Sequence, residues 1–99
     1  MIKKVSNWGR SIVSYPEVVV EVQAVEDIIE ILKNKEKYPS PVRAVGSNHS
    51  TTRCATADGG TVVDMTQMNQ ILHISSETVT AQAGALYIDV AEELEKQGL

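Results

Sequence analysis

The densest run of residues able to do chemistry is Gly46-Ser47-Asn48-His49-Ser50-Thr51-Thr52. Glycine after an apolar run lets the backbone turn with φ > 0 and lets another group approach closely. Asn48 is one of the few other residue types that tolerate the left-handed region. Successive N–H groups exposed in such a turn form an anion-binding nest. The hydroxyls of Ser47, Ser50 and Thr51 add donors for phosphate oxygens. The chemistry is that of a phosphate-binding loop. It matches neither of the two commonest nucleotide motifs, because the Walker lysine is absent and the glycines do not follow G-x-G-x-x-G. Taken alone, His49 reads as an exposed loop histidine.

Elsewhere the candidates stand singly. His73 lies inside Ile71-Leu72-His73-Ile74, where a structural role is expected. Cys54 reads as an ordinary loop thiol; one cysteine makes neither an internal disulfide nor a zinc site. Asp64 and Asp89 are carboxylates with no visible partner, so no acid/base pair is assigned and the catalytic residues stay unknown. Lys33, Lys35 and Lys37 fit the C-terminal, negative end of a helix dipole. Trp8 is either a core aromatic or part of a docking surface.

The elements that must position the loop show in the patterning. Four valines among Val18–Val22, opening after Pro16, predict a strand. Val25, Ile28, Ile29 and Leu32 fall at i, i+3, i+4 and i+7 and predict a helix over Val25–Lys35, which Pro39 and Pro41 forbid from continuing. Val42–Val45 predicts a second strand, ending at Gly46. From Ser47 to Gly60 there is no apolar period, only a long polar loop, and such loops are usually functional. Thr61–Asp64 predicts a third strand, and Ile71–Ile74 with Val79–Ala83 a hairpin around Ser75–Thr78. A last helix is predicted over Leu86–Gln97, with Leu86, Val90, Ala91 and Leu94 inward and Gly98 as its stop. The fold class is α/β (α+β): a small parallel sheet with flanking helices and a β-hairpin. The first strand–helix–strand unit predicts a right-handed crossover between parallel neighbours. Ligands then bind where the loop leaves the C-terminal edge of the sheet.

At 99 residues, 42% hydrophobic and 22% charged, the chain has the balance of one small globular domain. A net charge of -4 argues against a nucleic-acid partner. No apolar stretch is long enough to span a membrane, and no signal peptide is visible. A reducing compartment fits the cysteine content, and a cytoplasmic location is expected.

Val42-Arg43-Ala44-Val45-Gly46-Ser47-Asn48-His49-Ser50 resembles the flavin-attachment segment of the vanillyl-alcohol oxidase (PCMH) type of FAD-linked oxidoreductases, nearest to the aldonolactone and alditol oxidases. In that family a strand ends in glycine, two residues follow, and then comes a His-Ser pair. Asn7-Trp8, Val62-Val63-Asp64-Met65, Met68-Asn69-Gln70-Ile71-Leu72 and Val79-Thr80-Ala81-Gln82-Ala83-Gly84-Ala85 are similar to further family segments. Asn48 stands where many relatives have glycine.

The resemblance implies FAD as cofactor, joined covalently through His49, with Arg43, Val45, Gly46, Ser47, Asn48, Ser50 and Thr51 around it. Arg43 reads equally as a partner of a flavin phosphate or as a solvated arginine. It also implies an oxidoreductase acting on a CH–OH group of a sugar lactone, polyol or related alcohol; some lactone oxidases associate with membranes, which stands as the alternative to a cytoplasmic location. Family members are several times longer, so residues 1–99 are expected to be the N-terminal part of an FAD-binding domain. Alone, the 99 residues are expected to lack turnover and to self-associate. The other reading is a shortened, non-catalytic module that binds a nucleotide or a partner chain.

Overall fold

A computed structural model describes residues 4–7, 9–48 and 53–99. Its elements in order are β1 (Val5–Ser6), β2 (Val13–Ser14), β3 (Val18–Glu21), α1 (Val25–Lys33), β4 (Val42–Val45), a 3-10 helix (Arg53–Ala55), β5 (Thr61–Asp64), β6 (Ile71–Ile74), β7 (Val79–Ala81) and α2 (Tyr87–Lys96). The class is the expected one, a small parallel sheet with two helices and a β6–β7 hairpin. The β1–β2 hairpin was not expected, because strands of two residues are too short to show alternation. The 3-10 helix lies within the stretch expected to be loop.

The crossover expectation needs correction. β3 and β4 are parallel but not adjacent, since β5 lies between them in the order β3-β5-β4. The reason is burial. Thr61, Val62 and Val63 are at most 4% exposed, whereas Arg43 and Ala44 of β4 are exposed. A strand covered on both faces belongs in the centre, where both edges are also paired. The Thr61 hydroxyl is satisfied there by donating to the Pro39 carbonyl at 2.9 Å. The register sets Glu21, Asp64 and Val45 side by side, so all three strands end at one edge.

α1 starts where the Asp27 carboxylate accepts the N–H groups of Gln23 (2.9 Å) and Ala24 (3.1 Å). It stops at Lys33 rather than Lys35, because Asn34 turns the chain. The Asn34 side chain accepts the Lys37 N–H at 3.2 Å and its carbonyl accepts the Tyr38 N–H at 2.9 Å. The apolar stripe read from spacing is not the buried one. Val25, Ile29 and Leu32 are exposed, and Ile31, with Ile28 beside it, packs into the core of Val22, Tyr38, Val63 and Met68. A nine-residue helix over a three-stranded sheet buries a narrow strip, and Ile28 and Ile31 at i, i+3 fill it.

β6 and β7 pair antiparallel, with a bulge between Ile71 and His73. The Ser75–Thr78 turn is closed by the Ser75 N–H on the Thr78 carbonyl at 2.8 Å. The second arm ends at Ala81, two residues before the expected Ala83. α2 ends as expected: Gly98 has φ 76, its N–H reaches the Glu95 carbonyl at 3.0 Å, and the Leu99 N–H reaches that of Leu94 at 2.9 Å. Its expected inner face is not buried. Val90 and Leu94 are half-buried, Leu86 and Ala91 are exposed, and no α2 residue is fully covered.

Candidate functional site

The C-terminal edge of the sheet is built from two segments. On one side β4 ends with the Val45 carbonyl accepting the Met65 N–H at 2.9 Å, and Gly46-Ser47-Asn48 follows. On the other, the Gly84 N–H donates to the Met68 carbonyl at 2.9 Å. A Cβ on Gly84 would fall on the Met65 carbonyl, so only glycine lets this backbone settle on the end of β5. Between the two lies an open cleft of about 340 Å³. Gly46 and Ser47 line one wall; Ala83, Gly84, Ala85 and Leu86, with the start of α2, line the other. In open α/β sheets this edge is where ligands bind.

Gly46 does not carry the turn, which corrects the expectation. Its φ is not positive, and a Cβ there would meet nothing within 4 Å. Glycine at this position leaves the cleft empty for a close neighbour. The left-handed residue is Asn48, with φ 57, and its Nδ2 donates to the Ser6 carbonyl at 2.7 Å. Ser47 is exposed, and its N–H and hydroxyl bond to no other described residue. Both donors belong to a residue that lines the cleft at the sheet edge.

Among the sequence-predicted site residues, the structure thus brings Gly46 and Ser47 to the cleft, with Asn48 beside them. Val45 is half-buried at the strand end. Arg43 is exposed in mid-strand opposite Val62 and does not line the cleft. His49, Ser50 and Thr51 lie outside the described residues, as does Trp8. The sequence reading did not name Ala83–Leu86 as site residues. Its signal was a lone glycine directly after an alternating strand, which marks close backbone approach.

The other candidates separate from the cleft. Asp64 is not partnerless: its Oδ1 accepts the Thr66 N–H at 2.8 Å and the Thr66 hydroxyl at 2.6 Å, which closes a turn after β5. His73 is exposed on β6, beside a wider depression of about 600 Å³ lined also by Glu93 and Gln97. Those two bond each other at 3.3 Å, and that surface is open and polar, away from the sheet edge. The described residues hold no group of three or more His, Cys, Asp or Glu able to bind a metal. None of their helices is long and apolar enough to cross a membrane.

A dinucleotide needs N–H donors for its phosphates and backbone that a ring or ribose can approach closely. Two glycine-bearing walls, one of them carrying the Ser47 donors, fit that need. Comparison with known proteins points the same way. The sequence profile of the FAD binding domain matches residues 16–99. L-gulonolactone oxidase of Bos taurus is 34% identical over 98 residues, covering 97% of this chain and 22% of that protein. L-gulono-1,4-lactone dehydrogenase of Mycobacterium tuberculosis is 34% identical over 82 residues, 81% of this chain and 19% of the relative. D-lactate dehydrogenase of Anaerostipes hadrus is 34% identical over 87 residues, 85% of this chain and 18% of the relative. The chain spans about a fifth of the length of these relatives. With the profile covering most of the chain and a glycine-walled cleft at the sheet edge, the chain belongs to the FAD binding domain family of PCMH-type flavin-linked oxidoreductases.

Proposed function

We propose that this chain holds FAD for an oxidoreductase that oxidises a CH–OH carbon of a sugar lactone, polyol or related alcohol. The observation that carries the reading is the cleft at the C-terminal sheet edge, with Gly46 and Gly84 on opposite walls, in a member of an FAD-binding family. The related proteins are named for gulonolactone and for lactate, and both compounds carry a CH–OH carbon beside a carbonyl-bearing group. Bound FAD supplies the hydride acceptor. The chain's own residues bind and orient. The Ser47 N–H and hydroxyl donate to a phosphate oxygen, Gly46 leaves room for the cofactor backbone, and Ala83–Leu86 forms the facing wall. His49, next in sequence to Asn48, is assigned the covalent link to the flavin.

The test uses the whole protein that contains this chain. The denatured protein is expected to stay yellow after acid precipitation, and His49→Ala is expected to release the flavin. A His49→Ala protein that keeps flavin after denaturation rules out the link. A native protein that takes up no FAD rules out the cofactor assignment. The 99 residues alone are expected to show no turnover, because a cofactor with one side open to water lacks the exclusion that hydride chemistry needs. Hydrogen peroxide production by the isolated chain with added FAD and a lactone would contradict this.

A further inference from the structure

The β1–β2 hairpin precedes the stretch that matches the FAD binding domain, which begins at residue 16. It is nonetheless bonded to both described flanks of the polar loop. On the near flank, Asn48 Nδ2 donates to the Ser6 carbonyl at 2.7 Å. On the far flank, Asp58 Oδ1 accepts the Tyr15 N–H at 2.6 Å, just past β2. Asp58 Oδ2 accepts Arg53 Nη2 at 2.9 Å, and Arg53 Nη1 reaches the Val13 carbonyl at 3.4 Å. The Gly59 N–H adds a bond to the Tyr15 carbonyl at 3.0 Å. The three side-chain bonds to the hairpin span 40 to 43 residues of sequence.

The hairpin has its own lock. The Asn7 carboxamide accepts the Ile12 N–H and donates to Ser11 Oγ, each at 3.0 Å. A small ribbon of fixed shape therefore grips residues 46–48 at one end and residues 53–60 at the other. Asn48 shows what the grip adds. Glycine would adopt φ 57 without strain, but it could not reach Ser6. Holding both flanks before a ligand arrives removes ordering entropy from the binding step.

We propose that the β1–β2 hairpin is a clasp that preorganises residues 46–48 and 53–60, the two described flanks of the FAD-binding loop, with Asn48, Arg53 and Asp58 as positioning residues. The proposal rests on the assignment of this loop to FAD, and it concerns affinity rather than chemistry.

The experiment uses the whole protein in a His49→Ala background, so that any covalent link is absent and FAD binding is reversible. FAD affinity is read by flavin fluorescence. Hydrogen exchange of residues 46–60 and thermal unfolding are read without FAD. Asn48→Gly is expected to raise the Kd roughly 2- to 10-fold, with faster exchange at residues 46–60 and a melting temperature unchanged within about 3 °C. Asp58→Ala removes two bonds and is expected to weaken binding by about 10-fold or more. Asp58→Asn keeps an acceptor for the Tyr15 N–H and is expected to recover part of that loss.

Unchanged affinity and unchanged exchange in Asn48→Gly and Asp58→Ala would overturn the clasp and leave the FAD assignment standing. A loss of affinity matched by a general loss of melting temperature would also overturn it, as the mark of a merely structural role. If the parent protein binds no FAD, the cofactor assignment fails. Exchange at residues 46–60 then decides the clasp by itself, faster in the variants supporting preorganisation and unchanged refuting it.

Discussion

The two halves of the chain carry similar signals and pack differently. The β3-β5-β4 sheet with α1 is closed: β5 is buried on both faces and α1 inserts Ile31 into the core. The β6–β7 hairpin with α2 is open: Leu72, Val79, Leu86 and Ile88 are exposed, and Tyr87 is 95% exposed. Both helices are amphipathic in sequence. α1 lies over three parallel strands that offer a continuous apolar face, whereas α2 follows a two-stranded ribbon, which is marginal by itself. The radius of gyration of 15.5 Å, against about 13 Å for a compact chain of this length, records the same split. An amphipathic pattern states that a face suits a partner. It does not supply one.

Gly84 joins the halves, and its replacement is expected to have the largest effect. Gly84→Val would drive a side chain into the Met65 backbone and is expected to cost about 3 kcal/mol or more in urea unfolding, with the Ala83–Leu86 wall displaced. A small cost would mean that the open half is not anchored at this point.

The next pair tests the contrast itself. Ile31→Ala in α1 is expected to destabilise by about 3 kcal/mol, and Leu94→Ala in α2 by less than about 1 kcal/mol. In the 99-residue chain, α2 amides are also expected to exchange faster than those of α1. Equal costs and equal protection would erase the distinction between the halves.

Smaller again is the start of α1. Asp27→Ala removes the acceptor for two N–H groups and is expected to cost about 1 kcal/mol, read as a shift in the unfolding midpoint.

The smallest stability change belongs to Gly46→Ala, within about 0.5 kcal/mol, because a Cβ there meets nothing within 4 Å. The same substitution is expected to weaken FAD binding, since Gly46 lines the cleft and added bulk there competes with the cofactor for space. Undiminished affinity, measured by flavin fluorescence, would move the cofactor away from this wall.

Much of this was legible in the sequence, because it is local. The valine run made β3, apolar spacing placed α1, and alternation with a Ser-Ser-Glu-Thr turn made the β6–β7 hairpin. Gly98 capped α2 because a left-handed stop needs no distant partner. The Gly46-Ser47 wall was readable as well, since a strand end, a glycine and hydroxyls adjoin in the chain. The remainder depended on residues far apart. Inserting β5 between β3 and β4 is a matter of ladder pairing and two-sided burial, which no single segment encodes. The buried side of α1 was decided by the sheet beneath it, and α2 had no such sheet. Gly84 became a cleft wall through its approach to Met65, and Asn48 a link through a carbonyl 42 residues away. Periodicity and turn chemistry act within a few residues, and so they determined the longer elements, while the two-residue strands β1 and β2 and the 3-10 helix left no such pattern. Strand order, buried faces and the two-walled cleft come from long-range contacts, and only the tertiary structure decided them.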